Sequence, residues 1–228
     1  MSDLLPELAL LAAGLAAGSV HVVSGPDHLA AVLPLAVADR RRAARVGLWW
    51  GVGHGGGVLA LAALGQLLAG QVDVELLSAF SERIVGVLLL GLGAWALHRS
   101  RLVRVHAHTH DHDDDGHAHV HVHVGDRTVD SPDHASAGHG THRHSAFGFG
   151  MVHGAAGAGH LFGVLPSLVM APSEAAVYLA AYFVAAVASM TLFAAGAAAL
   201  VRGPGWVPGA LRLSGALSVI VGVGWLAA

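Results

Sequence analysis

The hydrophobic positions of this chain fall in long runs, several of 18 residues or more, the length a helix needs to cross the hydrocarbon layer of a bilayer. Six runs, roughly 7–37, 46–70, 79–98, 147–170, 174–201 and 210–227, predict an all-α integral membrane protein with six transmembrane helices. The first is interrupted near Gly25-Pro26, so its helix is expected to break there. Between the third and fourth runs lies a polar segment, 99–146, holding 12 of the 18 histidines, including "HAHTHDHDDDGHAHVHVHVG". It has no apolar set from which to build a core, and reads as a mostly disordered loop.

The pattern repeats. A shift of 132 residues aligns "GSVHVVSGPDHLAAVLPLAV" (18–37) with "GMVHGAAGAGHLFGVLPSLV" (150–169), with ten of 20 positions identical. His21 meets His153, His28 meets His160, and both copies carry Val-Leu-Pro. A weaker echo at a shift of 129 sets Arg83, Gly86 and Gly93 against Arg212, Gly215 and Gly222. The chain therefore divides into a three-span unit over 1–98, the loop 99–146 and a second three-span unit over 147–228. An odd number of spans makes the second unit enter the membrane from the opposite side, the inverted-repeat plan of many secondary transporters, in which the first helix of each repeat is broken around the substrate.

Composition narrows the chemistry. With no cysteine there is no thiolate metal site, and any bound metal must be held by nitrogen and oxygen. All 12 basic residues are arginine, and the net charge of -3 gives no reason to expect nucleic acid as a partner. Arg40, Arg41, Arg42 and Arg45 in the first loop, with Arg99, Arg101 and Arg104 after the third span, place that side and the histidine loop in the cytoplasm and both termini outside. The expected location is the inner cell membrane. The N-terminus lacks a basic stretch before its apolar run, so a retained span is expected rather than a cleaved signal.

The candidate site grows from the broken span. His21 and His28 are seven residues apart, about 10 Å along an intact helix, too far for one ion with ligands about 2 Å away. A break at Ser24-Gly25-Pro26 lets them approach, together with Asp27, the acidic residue that falls well inside a predicted span. His54, among the glycines of "WWGVGHGGGV", is a candidate fourth ligand. His153 and His160 could complete the site, line the path or hydrogen-bond between repeats. Because Pro26 and Asp27 have no counterparts at Ala158 and Gly159, the first copy is expected to hold the ion and the second to move against it. Such a nitrogen and oxygen set suits Ni²⁺, Co²⁺, Zn²⁺ or Mn²⁺.

With these residues in view, the chain resembles the nickel/cobalt transporter superfamily, which groups uptake permeases with efflux proteins. The signature, a histidine, a short spacer and Asp-His, appears here as "HVVSGPDH", and the resemblance implies metal-binding roles for His21, Asp27 and His28. Gly53-His54 matches the glycine-flanked histidine of the next span, and "GMVHGAAGAGH" looks like the glycine-rich fourth-span motif. The uptake permeases usually carry four residues between the histidine and Asp-His, and commonly eight spans. This chain has five such residues and about six spans, which brings it nearer the six-span branch with histidine-rich loops. The expected function is secondary transport of a divalent transition metal, Ni²⁺ or Co²⁺ first, with no enzyme activity and no tightly bound cofactor; direction, coupling ion and self-association stay open. Rival readings are a haem protein using histidines of spans one and four, an intramembrane metalloenzyme, and a metal store or sensor built on the loop.

Overall fold

The computed structural model describes residues 4–67, 74–110, 117–124, 127–128, 141–156 and 163–227. Its helices are α1 (Leu4–Ser24), α2 (Pro26–Ala38), α3 (Ala43–Leu67), α4 (Val74–Leu102), α5 (Thr141–Ala155), α6 (Pro172–Leu200) and α7 (Val207–Ala227), with short 3-10 turns at Arg40–Arg42, Leu165–Leu168 and Pro204–Trp206. Among the described residues, four stretches are long and apolar enough to cross a bilayer: Leu5–Ser24, Phe80–Leu102, Pro172–Leu200 and Pro204–Ala227. α2 is a shorter apolar helix. α3 and α5 stand beside this group. α3 is apolar along most of its 25 residues, with His54 and its glycines at the middle, and α5 has 15 residues and opens on the polar Thr141-His142-Arg143-His144.

The first span breaks where the sequence expects. Gly25 is extended, with φ -85° and ψ 102°, and Pro26 takes the first position of α2, where its missing N–H costs nothing. The Gly25 carbonyl accepts from the His28 and Leu29 amides at 3.2 and 3.4 Å, which fixes the first turn of α2. A second proline, Pro34, lies inside α2 and strips the Ala30 carbonyl of its helical donor. The Ser218 hydroxyl of α7 donates to that carbonyl at 2.7 Å instead, so the proline is accommodated by a neighbouring helix. In the second copy the counterparts of Gly25 to Ala30, residues 157–162, lie outside the described residues. α5 runs to Ala155, and where the described chain resumes it is helical at 163–164 and passes into the four-residue turn Leu165–Leu168 around Pro166.

The segment 99–146 also departs from expectation. α4 runs on to Leu102, and an antiparallel sheet follows, β1 (Val103–His110), β2 (His117–Val124) and β3 (Arg127–Thr128) in that order. The His-X-His alternation with valine and threonine between is a period-two pattern, the pattern of a strand, and composition alone hides it. In register, His106 faces His121, His108 faces His119 and His110 faces His117.

Helices meet through glycine. A Cβ on Gly18 of α1 would strike the Tyr182 carbonyl of α6, and a Cβ on Gly150 of α5 would strike the Trp50 carbonyl of α3. These two contacts are related by the 132-residue shift, since Gly18 maps onto Gly150 and Trp50 onto Tyr182. On α4 and α7, Gly86 packs on the Gly222 carbonyl and Gly215 on the Gly93 carbonyl, contacts related by the 129-residue shift. Small residues let backbones approach this closely. Large apolar residues point the other way, with Leu192 72%, Leu213 64% and Ile220 66% exposed on the outer faces.

Candidate metal centre

The break at Gly25 builds the centre. It brings the His21 and His28 rings, at opposite sides of the break, to a centroid separation of 4.6 Å, less than half the axial spacing of an intact helix. Gly25 is required for the approach, because a Cβ there would collide with the His28 imidazole. α1 ends beside His21 and presents the negative end of its dipole, whereas α2 begins beside Asp27 and presents the positive end. A carboxylate at the second end and a cation at the first are both favoured by that arrangement.

α3 and α5 complete the cluster. His54 and His153 are both fully buried, His28 and Asp27 are nearly so, and His21 is partly open. His21 Nε2 lies 3.3 Å from His54 Nε2. The edge of a tetrahedron with arms of about 2.1 Å is about 3.4 Å, so these two nitrogens already stand where two ligands of one ion stand. Asp27 offers one oxygen to each of two other rings: His153 Nε2 donates to Oδ2 at 3.0 Å, and His28 Nδ1 lies 3.2 Å from Oδ1. Two sets of potential ligand atoms result, His21-His28-His54 and Asp27-His28-His153, each with all its atoms within 4.8 Å of one another. They share His28, so the two sets adjoin one another. Closing either set onto an ion requires side-chain shifts of about 1 Å.

Five of the six residues singled out from sequence therefore meet in one place. The sixth, His160, lies outside the described residues. The placement of His153 changes the expected division of labour, because the second copy reaches into the centre and touches its carboxylate rather than merely standing opposite. Sequence reasoning missed two aromatic neighbours. Trp50 stacks on His54 with centroids 5.1 Å apart and planes 10° apart, and also approaches His153 at 5.2 Å. Tyr182 approaches His21 at 5.7 Å. The signal for both was present in the repeat, which aligns one aromatic with the other.

The arrangement defines a class: a helical protein with apolar helices and a buried nitrogen and oxygen cluster that could hold a divalent transition-metal ion. No family model matches the chain, and no solved structure matches it. Two proteins of Arabidopsis thaliana are similar to part of it. Chloroplast protein FOR GROWTH AND FERTILITY 2 is 40% identical over 88 residues, and Chloroplast protein FOR GROWTH AND FERTILITY 1 is 39% identical over 88 residues. The match covers 38% of this chain and 24% of each relative, so the chain spans about a quarter of the length of the curated relatives it matches.

Proposed function

We propose that this chain is a membrane transporter that moves a divalent transition-metal ion, Ni²⁺ or Co²⁺ first, through a centre formed by His21, Asp27, His28, His54 and His153. The observation that carries the reading is the pair of overlapping ligand sets, buried and free of sulfur, at a helix break. Zn²⁺ and Mn²⁺ suit the same donors and are the alternative cargoes. The printed names of the plant relatives speak of chloroplasts, growth and fertility and supply no substrate, so the cluster is what the reading rests on.

The outward-facing leucines and isoleucines support burial in lipid, and six spans follow if α3 and α5 cross beside the four longer helices. The glycine contacts related by the two repeat shifts support two inverted three-helix units, and alternating access is the working mode of such folds. A haem reading fits poorly. Of the histidines in spans one and four, His28 and His153 have ring centroids 5.1 Å apart and both lie against the Asp27 carboxylate, an arrangement with no room for a macrocycle between the two rings. The facing histidines of β1 and β2 suit a collecting role on the arginine-rich side, with selection left to the buried centre.

An ion held by Asp27 and His153 Nε2 would take the place of the proton between them, which is a route for coupling metal movement to protons. Reconstituted protein in proteoliposomes is expected to carry Ni²⁺ or Co²⁺ at a rate that changes when a pH gradient is imposed. The same flux should persist, with altered apparent affinity, after deletion of residues 105–144. Absence of flux for Ni, Co, Zn and Mn alike would refute transport, flux indifferent to the gradient would refute proton coupling, and loss of flux on deletion would favour a store built on the loop.

A further inference from the structure

We infer that Trp50 and Tyr182 are the two gates of the ion path, one on each side of the centre and related by the inverted repeat. This rests on the transport reading above.

The register of helix contacts orders the path. From the arginine-rich end, α3 meets α6 at Gly47 against Met190, then at Gly51 against Val187, then at Gly55 against the Phe183 ring. On the same scale α3 meets α5 at Trp50 against Gly150 and at His54 against Gly154, so Trp50 lies one turn nearer the arginines than His54. α1 runs parallel to α6, with Gly14 against Tyr178 and Gly18 against Tyr182. Tyr182 therefore stands level with Gly18, before the chain of α1 reaches His21 on its way toward the arginines. The two aromatics bracket the centre from opposite ends.

Each closes its end. Trp50 is fully buried and covers His54, His28 and His153, with ring separations of 5.1, 6.2 and 5.2 Å. On its arginine side a cavity of about 750 Å³, lined by Asp39, Val46, Arg99 and Phe149 among others, stops one helical turn short of Trp50 and His153. Tyr182 is 1% exposed and packs with Val58 and Val164 at the far end, its ring against Gly163. Trp50 Nε1 and the Tyr182 hydroxyl are both buried with no hydrogen-bond partner among the described residues. Buried polar groups are costly to leave unbonded, and swinging either ring toward its own face would return the group to water. Both rings are buried here, and among the five residues of the centre His21 is the one that stays partly open.

Because the chain has no cysteine, one can be introduced as a reporter. Ala186, fully buried one turn beyond Tyr182 and the repeat counterpart of His54, is the position for Ala186→Cys. Labelling by a membrane-impermeant thiol reagent is measured in right-side-out and inside-out vesicles. The reporter alone should react slowly from both sides. Adding Trp50→Ala should speed labelling from the arginine-rich side alone, and Tyr182→Ala from the opposite side alone, each by about tenfold or more. Tyr182→Phe keeps the ring and should stay slow; Trp50→Leu keeps apolar bulk and decides the case if alanine disturbs the fold. Opening on the same side by both, or no increase from either, overturns the assignment. Labelling needs no metal, so a wild-type protein that binds no metal refutes the transport reading separately.

Discussion

Replacing His28 with alanine is expected to abolish metal transport while leaving the protein folded. His28 belongs to both potential ligand sets, so no rearrangement onto the other set can bypass it. Losing a group that merely orients a ligand costs up to about 100-fold in affinity, and losing a shared ligand should exceed that. The fold should tolerate the change, because the apolar neighbours Ala30, Ala31 and Val32 hold α2 independently of the ring. Calorimetric titration of Ni²⁺ or Co²⁺ into purified wild type and variant is the check. His54→Ala and His153→Ala each remove a ligand from one set, and should weaken binding less than His28→Ala.

Asp27→Asn is the second large effect. The asparagine keeps the shape and an acceptor oxygen but removes the negative charge near the divalent ion, leaving neutral imidazoles in a buried place. At an effective dielectric of about 20, unit charges about 4 Å apart interact by about 4 kcal/mol, and about 1.4 kcal/mol is tenfold in affinity. Binding should fall by on the order of 1,000-fold, and flux with it. The proton released on binding should fall too, because the carboxylate that shares it with His153 is gone. Flux and proton release measured together in the same vesicles test both halves, and unchanged affinity would remove Asp27 from the centre.

Much of the centre is legible in the sequence, and the reason is local. Gly25-Pro26 in an apolar run announces a break, and a break with His21, Asp27 and His28 around it announces candidate ligands, all within one stretch of chain. His54 carries a similar mark in its glycines. The role of His153 is not legible in detail, because its contact with Asp27 depends on how α5 docks against the first repeat, 126 residues away. Ser218 is invisible for the same reason: only the packed fold shows that it replaces the donor that Pro34 lacks. Trp50 and Tyr182 align in the repeat but are not identical, so a search for matching residues passes over them. The strands β1 and β2 are lost to composition, since a polar, histidine-rich segment reads as loop unless its alternation is given weight.

The most direct test is X-ray absorption at the metal edge of Ni²⁺- or Co²⁺-loaded protein lacking residues 105–144, with the ion counted per chain. The buried centre should take a single ion, bound to nitrogen and oxygen at about 2.0–2.2 Å with imidazole scattering, and this signal should vanish in His28→Ala. No stoichiometric binding in the loop-deleted chain, or an identical spectrum in the variant, would contradict a metal centre at the break in the first span.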